Sequence, residues 1–372
     1  MTLTLVFVVI LVALLFTYTN GFHDTANSIA TVVGTKVLTP RQAILLATAT
    51  NLVGSMAGAA VARTIASGLV DTRVVPAASS SHMLICALVG AILWNLLTWY
   101  VGLPSSSSHA LVGGLCGAAI AAAHGDLSAV VWARAPAAGK HWWDGGGIFY
   151  KVVVPMVVSP ILGLIIAFVM MGGLYFVLRN WRPLNVARVF GKLQLFSSAY
   201  MGFSHGTNDA QKTMGLISLA LVAATKAGAF DQLPDWLSFL RTHEAADPKD
   251  QGIALWIKVL CAVTMAIGTA AGGWRIIKTL GHKLVRLQPV HGFAAETAGA
   301  TVLFTTAKMG MPVSTTHVIT TSVMGVGAAK RLNALKWSIV ERILWAWLLT
   351  LPATAGVGYA LTRLMQFAGW IL

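Results

Sequence analysis

Two seven-residue stretches of this chain combine a helix breaker, a run of hydroxyls and an imidazole. They read Leu103-Pro104-Ser105-Ser106-Ser107-Ser108-His109 and Met311-Pro312-Val313-Ser314-Thr315-Thr316-His317. Proline fixes φ and favours a helix's first turn, so each stretch predicts a new helix beginning among its hydroxyls. Backbone N–H donors, side-chain hydroxyls and the positive end of the helix dipole converge there, an arrangement suited to a tetrahedral oxyanion. A single such stretch reads more readily as N-capping, because Ser and Thr are common caps. Four hydroxyls in a row exceed what a cap needs, and the recurrence in the second half favours a binding site. The candidate ligands are Ser106, Ser107 and Ser108 with Ser314, Thr315 and Thr316, and two such helix ends could clamp one anion from both sides.

A second pair of motifs carries carboxylates. The first reads Gly21-Phe22-His23-Asp24-Thr25-Ala26-Asn27-Ser28 and the second Gly206-Thr207-Asn208-Asp209-Ala210-Gln211-Lys212-Thr213. Helical spacing puts Asp24, Asn27 and Ser28 on one face, and Asp209, Lys212 and Thr213 on another. A carboxylate at membrane depth is costly and marks function by default. With an amide and a hydroxyl beside it, it offers oxygen ligands for a hard cation or a proton acceptor next to the anion. For the second motif, a structural Asp209–Lys212 ion pair or a helix cap is the plainer alternative. Lys212 also breaks the symmetry with Asn27: its ammonium could replace a bound metal ion or bind the anion directly.

Other candidates are weaker in pattern. His109 and His317 titrate near neutral pH and could couple protons, or could simply hold the hairpin backbone. Glu296, on an apolar helix entering the second hydroxyl stretch, is an intramembrane acid candidate, whereas Lys308 can snorkel to the surface. His23 and His205 flank the aspartate motifs as lesser ligand candidates. Ser beside His does not indicate a hydrolase, since no nucleophile elbow is present. No metal-ligand spacing appears, which leaves the identity of any accompanying metal open.

The elements that must position these residues are apolar. Of 372 residues 56% are hydrophobic and 10% charged, against about 25% charged in soluble domains. Mean hydropathy is +0.74. The chain reads as an all-α polytopic membrane protein. The net charge of +14 does not point to nucleic acid, because the basic residues cluster between apolar segments (Arg179, Arg182, Arg188, Lys192; Arg275, Lys278, Lys283, Arg286; Lys330, Arg331, Lys336), as cytoplasmic edges do. Asp231, Asp235, Glu244, Asp247 and Asp250 fall in one polar loop. Cys86, Cys116 and Cys261 stand alone as small core residues. The apolar stretch from Met1 to Phe16 reads as a first membrane helix. Trp94, Trp99, Trp142, Trp143, Trp345 and Trp347 read as interfacial anchors.

The two motif pairs recur in the same order, 80 residues apart in the first half (Asp24 to Pro104) and 103 in the second (Asp209 to Pro312). The 23 extra residues match the polar loop near 228–251. The expected organisation is therefore a first repeat over 1–178, a basic linker over 179–193 and a second repeat over 194–372. Short apolar segments such as 194–203 and 208–227 flank the polar motifs, as broken or re-entrant helices would. If each repeat crosses the membrane an odd number of times, the two are inverted.

These four motifs, with Asn20, Phe203-Ser204-His205, Ala110 and Val318 at their edges, resemble the inorganic phosphate transporter (Pit) family over nearly the whole chain. The resemblance implies two inverted-topology repeats, each with a broken helix and a re-entrant helical hairpin, around a central phosphate site near the bilayer midplane. It implies phosphate contacts from Asp24, Asn27, Ser106, Ser107, Ser108, Asp209, Ser314, Thr315 and Thr316. Lys212 departs from the sodium-coupled branch, which carries asparagine there. It brings the chain nearer the bacterial low-affinity branch, which moves phosphate with protons, often as a metal–phosphate complex. The expectation is a phosphate symporter of the bacterial inner membrane, working by alternating access and not an enzyme. Phosphate and membrane lipid are its partners and a homodimer is left open. Asp24 and Asp209 would manage the coupling ion, with Glu296, His109 and His317 as further candidates; a proton, sodium or a divalent metal ion would be co-transported rather than held as a cofactor. Sulfate or arsenate transport, a passive channel and a membrane enzyme acting on phosphorylated lipid are the rivals.

Overall fold

The computed structural model describes residues 3–370 except 72, 77–78, 244–251, 274–275, 278, 280–286 and 331–334. Glu244, Asp247, Asp250, Arg275, Lys283, Arg286 and Arg331, named above for their charge, lie outside the described residues, as does Lys278. The described residues are overwhelmingly helical. In chain order the helices are α1 (Leu3–Gly34), α2 (Pro40–Met56), α3 (Ala60–Gly68), α4 (Ser80–Val101), α5 (Ser107–Ala122), α6 (Val154–Val177), α7 (Pro183–Lys226), α8 (Leu255–Ala271), α9 (Pro289–Lys308), α10 (Thr315–Lys330) and α11 (Trp337–Phe367).

Among the described residues four helices are long and apolar enough to cross a membrane: α1, α4, α6 with the turn before it, and α11. Their outward faces are apolar, as with Leu11 on α1, Ile161 and Val169 on α6, and Leu348 on α11, all at least half exposed. The polar side chains of the motifs point inward instead. Asp24, Asn27, Asp209, Lys212 and Glu296 are all buried. The molecule is thus apolar outside and polar at its centre, the distribution a lipid solvent selects.

Both hydroxyl stretches form the turn of a helical hairpin, α4–α5 and α9–α10. Each hairpin reverses at a glycine in the left-handed region, Gly102 with φ 68° and Gly310 with φ 66°. Each glycine lies two residues before the motif proline, a spacing that the sequence reading passed over. An L-residue in that conformation costs roughly 1–2 kcal/mol. Gly102→Ala and Gly310→Ala are therefore each expected to lower thermal stability in detergent; an unchanged melting temperature in both would contradict the turn's role. After the turn, Ser106 caps α5 by accepting from His109 N (3.1 Å), and Ser314 caps α10 by accepting from His317 N (3.2 Å). The helices so started are 16 residues each, roughly 24 Å at 1.5 Å per residue. That is short of a bilayer core of about 30 Å.

The aspartate motifs are not at helix breaks. α1 runs unbroken through Asp24, and α7 runs unbroken for 44 residues through Asp209. The break falls instead between α2 and α3, where the chain bends by 64° and Gly58 has φ 91°. Most of the basic stretch 179–193 is also helical, since α7 begins at Pro183. Arg188 and Lys192 are exposed on its first turns.

The two halves interleave. α5 packs on α11 and α10 packs on α6, while α1 packs on α8 and α7 on α2. These crossings are close because glycine stands at them: Gly117 faces the Ala355 carbonyl, Gly325 the Leu164 carbonyl, and Gly21 the Met265 carbonyl. A methyl group at any of the three would overlap backbone. α1 and α7 run antiparallel through the centre. Ser198 donates to Ser28 O (3.4 Å), and farther along α1 Thr35 donates to Gln194 Oε1 (2.8 Å).

Candidate functional site: a two-hairpin clamp

The tips of both hairpins meet the middles of α1 and α7. Ser107 donates to Asp24 Oδ2 (2.7 Å), and its counterpart Thr315 donates to Asp209 Oδ2 (3.1 Å). The residue three beyond each aspartate reaches the other half's hairpin. Asn27 donates to Thr316 (2.9 Å) and Thr315 (3.1 Å), and Lys212 donates to Ser108. Thr316 also donates to Asp24 Oδ1 at 3.4 Å. Each aspartate therefore bonds its own hairpin, Asp24 the opposite one as well, and Asn27 and Lys212 both reach the opposite one.

Helix phase explains which hydroxyls take part. Ser106 and Ser314 are the caps, and their oxygens accept there, so each keeps its own O–H as a donor. Ser107 with Ser108, and Thr315 with Thr316, are the next two positions: Ser107, Thr315 and Thr316 face carboxylates, and Ser108 faces the Lys212 ammonium. Ser108 also donates to Val313 O (3.1 Å), which ties one tip to the other.

Lys212 is fully buried. Its ammonium donates to Asp209 Oδ1 and to Ser108, and more distantly to Val313 O (3.4 Å). The Asp209–Lys212 ion pair of the plainer alternative is present, and it lies between the hairpin tips and bridges α7 to the first hairpin. Ligand atoms of Asp24, His205 and Asp209 lie within 4.8 Å of one another, close enough for one cation to touch all three. Two carboxylates face one ammonium and two imidazoles, so with the imidazoles neutral one negative charge is left uncompensated. Like charges about 5 Å apart cost roughly 3 kcal/mol at an effective dielectric near 20.

His23 and His205 matter more than their place beside the motifs suggested. His23 Nδ1 lies 2.7 Å from Asp24 Oδ1, with its Nε2 3.1 Å from Thr98 Oγ1. His205 Nε2 lies 2.9 Å from Asp209 Oδ2, with its Nδ1 2.9 Å from Asn51 Oδ1. Each aspartate thus leans on an imidazole anchored to another helix. The two histidines do not correspond in the motif alignment, one preceding its aspartate by one residue and the other by four. Helical spacing of i and i+4 puts His205, but not His23, on the face of its aspartate.

His109 and His317 are brought to each other, not to the carboxylates. Their rings meet edge to face at 4.7 Å, and His317 stacks on Trp347 at 3.8 Å. Trp347 is buried and donates to Pro104 O (3.2 Å), so it is a hairpin brace and not an interfacial anchor. His317→Phe keeps the stack, and it is expected to retain phosphate uptake within about threefold of wild type, a change below roughly 0.7 kcal/mol. Loss of uptake would support the expected coupling role of this pair.

Glu296 on α9 forms a separate buried cluster. It accepts from Thr31 (2.5 Å), Ser197 (2.5 Å) and Gln194 (3.2 Å). Thr31 is one turn beyond Asn27 on α1, so this carboxylate neighbours the clamp without entering it.

With that geometry in hand, comparison with known proteins is direct. Residues 20–358 match the model of the phosphate transporter family. A Bacillus subtilis (strain 168) protein named "Probable low-affinity inorganic phosphate transporter" is 38% identical over 356 residues, 96% of each chain. A Mycobacterium tuberculosis (strain H37Rv) protein of the same name is 40% identical over 367 residues, 99% of this chain and 79% of that one. Among solved structures, one titled "The sodium-dependent phosphate transporter" matches with a TM-score of 0.80 at 24% identity, covering 98% of this chain and all of the other; at that identity it supports the fold. The family consists of transporters and not enzymes. On the family match and the identity to these relatives, the chain is a multi-pass membrane protein belonging to the phosphate transporter family.

Proposed function

We propose that this protein imports inorganic phosphate across a bacterial inner membrane by cation symport, with the proton as coupling ion. The observation that carries the reading is the charge balance of the clamp. With His23 and His205 neutral, Asp24 and Asp209 outnumber Lys212, so phosphate entering alone meets net repulsion of several kcal/mol. A proton or cation arriving with it removes that penalty, and this is what obligatory coupling requires. Lys212 supplies one fixed positive charge where a second mobile cation would otherwise be needed, which favours a proton over a pair of sodium ions. A divalent metal accompanying phosphate would find its ligands in Asp24, His205 and Asp209.

The hydroxyls of Ser107, Ser108, Thr315 and Thr316, with the donors of the α5 and α10 N-termini, suit a tetrahedral oxyanion. Arsenate shares that shape. Sulfate cannot donate a proton at neutral pH and meets acceptor carboxylates, so it is disfavoured. Glu296 stands one turn away as a further proton-holding group. Ser106 and Ser314 act on the anion through the helix starts they cap.

The antiparallel run of α1 and α7 and the reciprocal packing of the hairpins support two inverted repeats, 1–178 and 194–372, joined through 179–193. Exchange of one arrangement of that symmetric pair for its mirror would move access from one membrane side to the other. The test is uptake of radiolabelled phosphate into proteoliposomes under separately imposed pH and sodium gradients. Uptake should follow the pH gradient without sodium and accumulate phosphate against its gradient. Dependence on sodium alone would overturn the proton assignment, and purely downhill flux would make the protein a channel.

A further inference from the structure

We propose that the outer face of the first turns of α7 is a docking surface for the headgroups of anionic phospholipids, and that phosphate uptake depends on its being occupied. The dependence of uptake rests on the proposed function; the docking does not.

Leu184, Arg188, Lys192 and Phe196 stand four residues apart and form one row along the helix. All four are exposed, Leu184 to 81% and Phe196 to 74%. Arg182, also exposed, is the cap residue just ahead of the helix. Two cations one turn apart repel each other, and cations at a helix N-terminus oppose its dipole. The chain does little to offset this. α7 has no acid in its first turn and no side-chain cap. Among the described residues no acid pairs with Arg182, Arg188 or Lys192. An anion from outside the chain relieves both strains.

The apolar ends of the row say which anion. A free phosphate would leave Leu184 and Phe196 bare. A phospholipid brings a phosphodiester to the cations and its glycerol and acyl groups to the apolar side chains. Trp181, 47% exposed just before the helix, suits the same interface. Helix length puts the row at that depth. α7 has 44 residues, about 66 Å at 1.5 Å per residue, against about 40–45 Å for a bilayer with its headgroups. Twenty-six residues of the helix precede Asp209 and 17 follow it, so the surplus falls on the first turns. A basic helical face flanked by apolar residues is the kind that lies in a membrane interface.

The opposite face of the same turns serves the cluster around Glu296. Phe190 meets Phe293 of α9 with ring centroids 5.4 Å apart. Gln194 and Ser197 donate to Glu296, and Val37 of the α1–α2 turn lies against Gly191. A headgroup that holds Arg188 and Lys192 from outside therefore steadies the turns that join α7 to α1 and α9. That is the physical route from lipid to transport.

The experiment uses the full chain, in detergent and in proteoliposomes. Phosphatidylglycerol should raise the melting temperature more than phosphatidylcholine does. The Arg188→Gln/Lys192→Gln double variant should bind phosphatidylglycerol about 25-fold more weakly, at roughly fivefold for each basic residue near an anionic surface. Arg188→Lys with Lys192→Arg should keep the preference, and rising salt should shrink it. Wild-type uptake should be about fivefold faster in vesicles containing phosphatidylglycerol than in phosphatidylcholine alone, and the double variant should be slow in both. Equal melting shifts from the two lipids, or a preference that survives in the double variant, would overturn the docking. A KM for phosphate raised equally in both vesicle types would mean that the row collects free phosphate, which also overturns it. Uptake indifferent to lipid, with the melting preference intact, would overturn the dependence alone. Should the double variant fail to fold, the wild-type salt series decides: a preference unmoved by salt would overturn the docking. Wild-type protein that takes up no phosphate would overturn the proposed function and leave the melting result to decide the docking.

Discussion

Lys212→Asn is expected to cut sodium-free, proton-driven phosphate uptake by at least about a hundredfold. The substitution makes the second motif match Asn27 and removes the clamp's fixed positive charge. Asp209 loses its partner on Oδ1, and Ser108 loses its donor. Breaking a buried pair by removing one member costs roughly 3–5 kcal/mol, more than the 2.7 kcal/mol or so that a hundredfold represents. A small cation can take the vacated place, because an amide oxygen joins two carboxylates around it. A sodium gradient should therefore restore uptake to Lys212→Asn but not to Lys212→Met, which brings no oxygen ligand. Uptake by Lys212→Asn that matches wild type without sodium would remove the lysine from coupling.

Asp24→Asn and Asp209→Asn should each abolish coupled uptake, and they should differ in what else they do. Asp24 accepts from Ser107 and Thr316 and pairs with His23. An amide keeps the shape but loses the charge, and hydrogen bonds to a charged group contribute about 1.5–3 kcal/mol each. The Asp24→Asn protein should fold normally and fail to concentrate phosphate. Asp209→Asn also strands the buried Lys212 ammonium, so it should show a clearly lower melting temperature in detergent. Equal stability of the two, or accumulation of phosphate by either, would contradict the charge balance assigned to the clamp.

Much of this was legible in the residues, for reasons of local chemistry. Pro104 and Pro312 announced helix starts, and both lie just ahead of one. The aspartates were legible because a carboxylate in apolar sequence needs a partner. Lys212 was legible as the point where the pseudo-repeat fails. The division of labour among hydroxyls was not, because it depends on which residue is the cap. Ser106 and Ser314 took that role, and a shift of one residue would have turned different oxygens inward. The contacts of His23 and His205 were not legible because their partners, Thr98 and Asn51, lie on other helices. The pairing of His109 with His317 required knowing that two tips 208 residues apart in the chain touch. The continuity of α1 and α7 through their polar motifs was hidden by composition: buried polar residues on a helix look like a gap between apolar segments. The true break at 57–59 is short and apolar and left little mark.

The crossing of α5 onto α11, and of α10 onto α6, has a consequence for how the chain is made. The first hairpin, with its serines facing Asp24 of α1, emerges from the ribosome long before α11 exists. Until α7 is made that polar tip lacks Lys212, and until α11 is made it lacks its packing partner, so its polar groups must be met by water, lipid headgroups or an insertion factor. Biogenesis should therefore pass through a half-inserted state that persists until α11 has been made. A nascent chain stalled before residue 337 should be a preferred target of membrane quality-control proteases, while one stalled after α11 has cleared the ribosome should resist them.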